Sequence, residues 1–125
     1  MSDGSTRGMD IKIELDRTVF EPGDTITGRV RWGYDGSSTV RVSLIWHTEG
    51  KGTEDTETVA QKYFRTTAKR GSTEAVFAFR APLYPWSFSG TLISLVWAVE
   101  ASLEPRGDLD RIDVTVAPEG RELRL

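Results

Sequence analysis

The chain has 125 residues, a formal charge of −3 and no cysteine, which leaves room for one core and excludes disulfides, thiol catalysis, iron–sulfur clusters and cysteine-ligated zinc. A pI of about 5.2 argues against a nucleic-acid binder, whose domains usually sit above about 9. The single histidine excludes any site that needs two.

Residues 1–9 are small, polar and charged and are expected to form a disordered tail. They lack the apolar run of roughly 7–15 residues that a signal peptide needs, so a cytoplasmic location is expected. From there on, hydrophobicity alternates with period two. Ile11, Ile13 and Leu15 alternate with Lys12, Glu14 and Asp16, the pattern of a half-buried strand. Glu21, Pro22, Gly23 and Asp24 make a turn, since proline presets φ and glycine accepts positive φ. Ile26, Val30 and Trp32 alternate with Thr25, Thr27, Arg29 and Arg31 in a second strand. Gly28 falls in its inward register, where it marks a bulge or a close backbone approach.

Residues 33–38 read as a loop, and Val40, Val42, Leu44 and Trp46 as the inward positions of a third strand. The acidic segment 49–56 reads as a loop, 57–65 as a fourth strand and 69–72 as a turn. Residues 75–79 are almost continuously apolar and predict a more deeply buried fifth strand. Two prolines bar residues 82–90 from a central strand. Hydrophobicity alone allows a helix over 92–103, but Ile93, Val96, Trp97 and Val99 favour a strand. Ile112, Val114 and Val116 form the inward face of a seventh strand, which Pro118 stops. The charged tail 119–125 is expected to be loose.

These signals predict an all-β, immunoglobulin-like antiparallel sandwich of about seven strands over residues 10–117, with tails at 1–9 and 118–125. The expected core comprises Ile11, Ile13, Ile26, Val30, Val42, Leu44, Phe77, Phe79, Leu95, Trp97, Val114 and Val116.

Two segments resemble a known family. The run from Val19 to Val30, VFEPGDTITGRV, is similar to the segment that opens arrestin-fold domains, including arrestin-domain proteins and bacterial sporulation-control relatives. The run from Tyr84 to Ala101, YPWSFSGTLISLVWAVEA, resembles a later segment of the same family, in the same order and at a similar separation. The resemblance implies an arrestin-type sandwich, of which 125 residues hold a single half, and a non-enzymatic adaptor or scaffold role. It carries over no phosphate-sensing or receptor-binding residue, because no position matches one. Within the motifs, Ser87 is expected to satisfy backbone groups at a corner and Phe88 to plug the end of the core.

Candidate chemistry is sparse. His47 is the one imidazole, and a surface or rim histidine is a simpler reading than a catalytic triad. Asp108, Asp110 and Asp113 cluster with Glu104, yet Arg106 and Arg111 lie among them, so a solvated turn is favoured over a calcium site. The acidic segment 49–57 has the same weakness, with Lys51 inside it. Arg29, Arg31 and Arg41 face outward, which allows either a local positive strip or a solubilising sheet face. Trp32, Trp46 and Trp97 keep register with the core, and burial is also expected for Trp86. No catalytic, cofactor or metal site is assigned. Partner binding, including homodimerisation, is expected through a sheet edge, with the first strand, Lys12 and Glu14 as the candidate. Tyr84 and Trp86 are the second candidate surface, whose rival reading is a carbohydrate-binding platform to which Tyr34 would contribute. A hydrolase built on His47 is a further rival, and would show a cleft there with a serine or threonine hydroxyl in reach.

Overall fold

The alternating segments become strands. The computed structural model describes residues 10–33, 36–51, 54–68, 72–90 and 92–124. Tyr34, the acidic-loop positions 52–53, the turn 69–71 and the tail 1–9 lie outside the described residues. In chain order the strands are β1 (Ile11–Leu15), β2 (Val19–Phe20), β3 (Thr25–Gly33), β4 (Gly36–Gly50), β5 (Thr56–Ala68), β6 (Ser72–Arg80), β7 (Phe88–Ser89), β8 (Ile93–Glu104), β9 (Asp108–Val116) and β10 (Leu123–Arg124). Among the described residues the only helical piece is a 3₁₀ turn at Pro118–Gly120, so the strand reading of 92–103 holds. Among the described residues no helix is long and apolar enough to cross a membrane.

Two sheets face each other, and neither closes into a barrel. The smaller is antiparallel in the order β1–β3–β6. The larger runs β5–β4–β8, and the far side of β8 is shared by β7 near its start and β9 along the rest. The two-residue strands β2 and β10 add in parallel to β9 and β7. All twelve expected core residues are buried between the sheets, joined by Phe20, Trp32, Val40, Val99 and Leu103. Burying each large apolar side chain stabilises the fold by about 1.5–3 kcal/mol.

Gly28 marks a close approach and not a bulge, since β3 keeps regular register with both neighbours. A Cβ there would lie 2.6 Å from the Glu14 carbonyl oxygen and 2.9 Å from Phe77 Cζ. The 21–24 turn forms as expected. Gly23 has φ 89°, and the Glu21 N–H donates to Asp24 Oδ2 at 2.8 Å. Ser87 fills its expected corner role. Its N–H donates to the Val116 carbonyl at 2.7 Å, and its Oγ accepts from the Val116 N–H at 2.9 Å. Phe88 packs half-buried against the core.

Several expectations are corrected. β4 and β5 extend well past the apolar pattern that reveals them, from Gly36 to Gly50 and from Thr56 to Ala68. At Glu49, Gly50, Thr56 and Glu57 the strands pair backbone to backbone with exposed side chains, so no periodic signal marks these ends. Residues 75–79 are not buried on both sides. Phe77 and Phe79 point into the core, while Val76 is 66% exposed and Ala78 is exposed, because β6 is an edge strand whose outer face has no covering layer. The C-terminal tail is not wholly loose, because β10 pairs with β7. Trp86 is 40% exposed. Its indole N–H is satisfied within the crossing, by the Leu83 carbonyl at 2.7 Å, and needs no partner in the interior.

The two sides of the sandwich differ. On one side β1 of the small sheet meets β9 of the large one. There the Ile13 N–H donates to Asp110 Oδ2 at 2.8 Å, and Arg106 pairs with Asp10 and with the buried Asp108. Asp110→Ala is expected to strand the Ile13 N–H and lower stability by about 1–3 kcal/mol in urea denaturation. Asp110→Asn keeps an acceptor and should lose less. Unchanged stability in Asp110→Ala would show that the bridge contributes nothing.

Candidate functional site

The strand edges are the first place to look, because an open sheet leaves N–H and C=O groups without partners there. β1 is an edge, as expected, but not through Lys12. The Asp10 carbonyl accepts from the Gly33 N–H, and the Asp16 N–H donates to the Thr27 carbonyl. By alternation Lys12 and Glu14 also bond β3, and the outward N–H groups belong to Ile11, Ile13 and Leu15. The central one of these is taken by Asp110. A proline at Lys12 would therefore break the ladder instead of trimming a free edge.

The other side of the sandwich is formed by β5 and β6, the edges of the large and small sheets. Among the described residues neither pairs with a further strand. Lys62 reaches from β5 across the opening, its ammonium 5.9 Å from the centre of the Phe79 ring. Even-numbered residues of β4 turn towards β5, since the Thr48 N–H donates to the Asp55 carbonyl. Lys62 and Phe64 consequently bond β4, and Gln61, Tyr63 and Arg65 turn their N–H groups to the open edge. β5 is interrupted by a bulge opposite Leu44 and Ile45. β6 is regular over its whole length.

The outer face of the small sheet carries charge, but not a positive strip. Arg29 and Arg31 on the central strand lie between Glu14 on β1 and Glu74 on β6. Arg29 bonds Glu14 at 2.9 Å and Arg31 lies 3.5 Å from Glu74. Arg41 belongs to the other sheet. Glutamates on both flanking strands thus neutralise the arginines, and each exposed pair is worth about 0–1 kcal/mol.

His47 stands on β4 beside a shallow cleft of about 530 Å³ lined by Ile45, Glu49, Glu54, Thr56, Glu100 and Arg111. Its side chain is 13% exposed. Nε2 lies 2.8 Å from Glu49 Oε2. Arg111 Nη2 lies 3.0 Å from both ring nitrogens, a position over the ring instead of in its plane. A cleft is therefore present, as the hydrolase rival requires, but among the described residues the ring is held by a carboxylate and a guanidinium. A second open cleft, of about 570 Å³, is lined by Ser37, Ser38, Thr39, Arg65, Thr66, Glu104 and Pro105. Asp108 and Asp110 do lie on one side of β9, where they serve the β1 junction, and Asp113 pairs with Arg111. Among the described residues no group of three or more His, Asp or Glu side chains is placed to hold a metal ion.

Tyr84 and Trp86 lie in the crossing between β6 and β7, both exposed, with Leu83 exposed beside them. Lys12 and Glu14 sit on the outer face of the small sheet, on a different element from this aromatic pair. Arg111 beside His47 and the open β5–β6 side were not anticipated. In 76–79 the larger Phe77 and Phe79 alternate with the smaller Val76 and Ala78, and this is the signal that marks β6 as one-sided.

No family model matches the chain, and no curated protein matches it. Among solved structures the fold is similar to Spo0M, a sporulation control protein from Bacillus subtilis, with a TM-score of 0.62 and 18% identity over 86% of this chain and 49% of that one. A β-glucosidase from Listeria innocua in complex with gluconolactone aligns over 90% of this chain and 16% of its own, at 15% identity and a TM-score of 0.48. The chain thus spans about half the length of Spo0M, and what it shares with that protein is an all-β sandwich.

Proposed function

We propose that the chain is a non-enzymatic, arrestin-like binding or scaffold module that engages protein partners by strand pairing. The arrestin-like segments at 19–30 and 84–101 and the fold shared with Spo0M support the family part of this reading. The observation that carries the binding part is the asymmetry of the sandwich. One side is bridged by Asp110 and Ile13, while on the other both sheets end in strands that pair with no further strand among the described residues. Backbone groups at an edge template the addition of another strand. The partner edge therefore lies at β5 and β6, since the centre of the β1 edge is taken by Asp110.

The test is capture of partners from an extract by the wild-type chain and by variants. Tyr63→Pro combined with Ala78→Pro removes an outward N–H from each open strand, and is expected to abolish capture while leaving the fold intact. Capture that survives both substitutions in a folded protein would overturn the strand-pairing reading. His47→Ala is expected to change neither capture nor melting temperature. Loss of a defined turnover in that variant, at unchanged stability, would overturn the non-enzymatic reading.

A second reading has one observation in its favour, the exposure of Tyr84 at 75% and Trp86 at 40%. Exposed aromatic faces stack on sugars. On this reading oligosaccharides shift the tryptophan fluorescence of the wild type and not of Trp86→Ala, and an absence of any shift across glucans, chitin and xylan fragments would remove it.

A further inference from the structure

We propose that the partner paired at β6 is a second copy of this chain, joined antiparallel across a two-fold axis at Phe77. This rests on the strand-pairing reading and adds the identity of the partner.

The argument begins with a mismatch. Residues 75–79, AVFAF, carry no charge and no proline, the composition of a strand with neighbours on both sides. Among the described residues β6 has one neighbour only, and Val76 is 66% exposed. An uncharged, regular edge is the kind that proteins cover or blunt. The other edges are managed. Asp110 blocks β1, β9 faces that same junction and adds β2, and β5 is bulged and carries Lys62 and Arg65. Among the described residues β6 is neither blocked, bulged nor extended by a further strand, and its charges, Glu74 and Arg80, stand outside the uncharged run 75–79.

The backbone is set up for pairing. The Ala81 N–H donates to the Asp24 carbonyl, and in β3–β6 the same alternation commits Thr73, Ala75, Phe77 and Phe79 to β3. The N–H and C=O groups of Glu74, Val76, Ala78 and Arg80 therefore point to the open edge. A two-fold axis perpendicular to the sheet places a residue opposite itself at the centre, since opposed side chains must share a face. With Phe77 at the centre, Val76 meets Ala78 of the second copy and Glu74 meets Arg80 of the second copy, each twice. All four residues have outward backbone groups, so every such pair exchanges both of its hydrogen bonds. Apolar side chains meet in the middle and opposite charges at the ends, pairs that each favour association. Centring on Val76 sets Glu74 against Ala78, and centring on Ala78 sets Glu74 against Pro82, so neither forms the ion pair. The product is one continuous sheet in the order β1–β3–β6–β6–β3–β1.

Sedimentation equilibrium over a dilution series tests the proposal. The wild type is expected to dimerise reversibly. Ala78→Pro removes one outward donor per copy and is expected to weaken the dimer about thirtyfold. Arg80→Glu and Glu74→Lys should each be largely monomeric, since each opposes like charges. Mixed together, they should form a heterodimer, because every end pair is again of opposite sign. A wild type that stays monomeric at high micromolar concentration overturns the proposal. So does a dimer that survives both Ala78→Pro and Arg80→Glu in proteins whose circular dichroism is unchanged. If Ala78→Pro unfolds the chain, the charge variants decide alone, and a mixture that stays monomeric overturns the Phe77 register. A monomeric wild type that still captures a partner through the β5–β6 side would sink the dimer and leave the module reading standing. Capture insensitive to the edge prolines would sink the module reading itself.

Discussion

A sheet that does not close on itself must account for the backbone groups of its outermost strands, and this constraint organises the molecule. Two sheets present four lateral edges. Where β1 and β9 come together, a carboxylate does the work of a missing strand. Asp110 projects from β9 and accepts the Ile13 N–H that no neighbour would otherwise satisfy. Arg106 ties Asp10 and Asp108 into the same junction. Two carboxylates of β9, Asp108 and Asp110, are thus spent on joining the layers.

Where β5 and β6 run past each other there is no equivalent among the described residues. Lys62 leans over Phe79, covering apolar surface with its stem while its charge stays in water, but it supplies no acceptor to an edge. The sandwich is therefore satisfied on one side and unsatisfied on the other. On the proposed strand-pairing reading that asymmetry confines the addition of another strand to one side.

The crossing between β6 and β7 solves a related problem by different means. It cannot join a ladder, because prolines remove donors. Its backbone is served instead by side chains and by chance carbonyls. Ser87 exchanges hydrogen bonds with Val116, Trp97 donates to the Pro85 carbonyl at 3.0 Å, and Trp86 donates to that of Leu83. Satisfying Trp86 locally lets its ring remain at the surface, and a burial prior drawn from residue type alone does not foresee this.

Much of this was legible in the residues. Period-two alternation named the core, because a side chain's face on a strand follows from its number and from nothing distant. Turn chemistry placed Gly23, Gly28 in the inward register pointed to a bulge or a close approach, and β-branched residues favoured strand over helix at 92–103. What the residues could not show was which strand lies beside which. The true ends of β4 and β5 depend on backbone pairing that leaves no mark on polar side chains. The neutralisation of Arg29 and Arg31 depends on Glu14 and Glu74 arriving from two other strands. The exposure of Val76, the engagement of His47 by Arg111, and the choice of a blocked edge at β1 and an open one at β6 all follow from sheet order. Sequence by itself determined the strands and their inward faces, since these are local. Tertiary structure alone decided the edges, since an edge is defined by the neighbour that is absent.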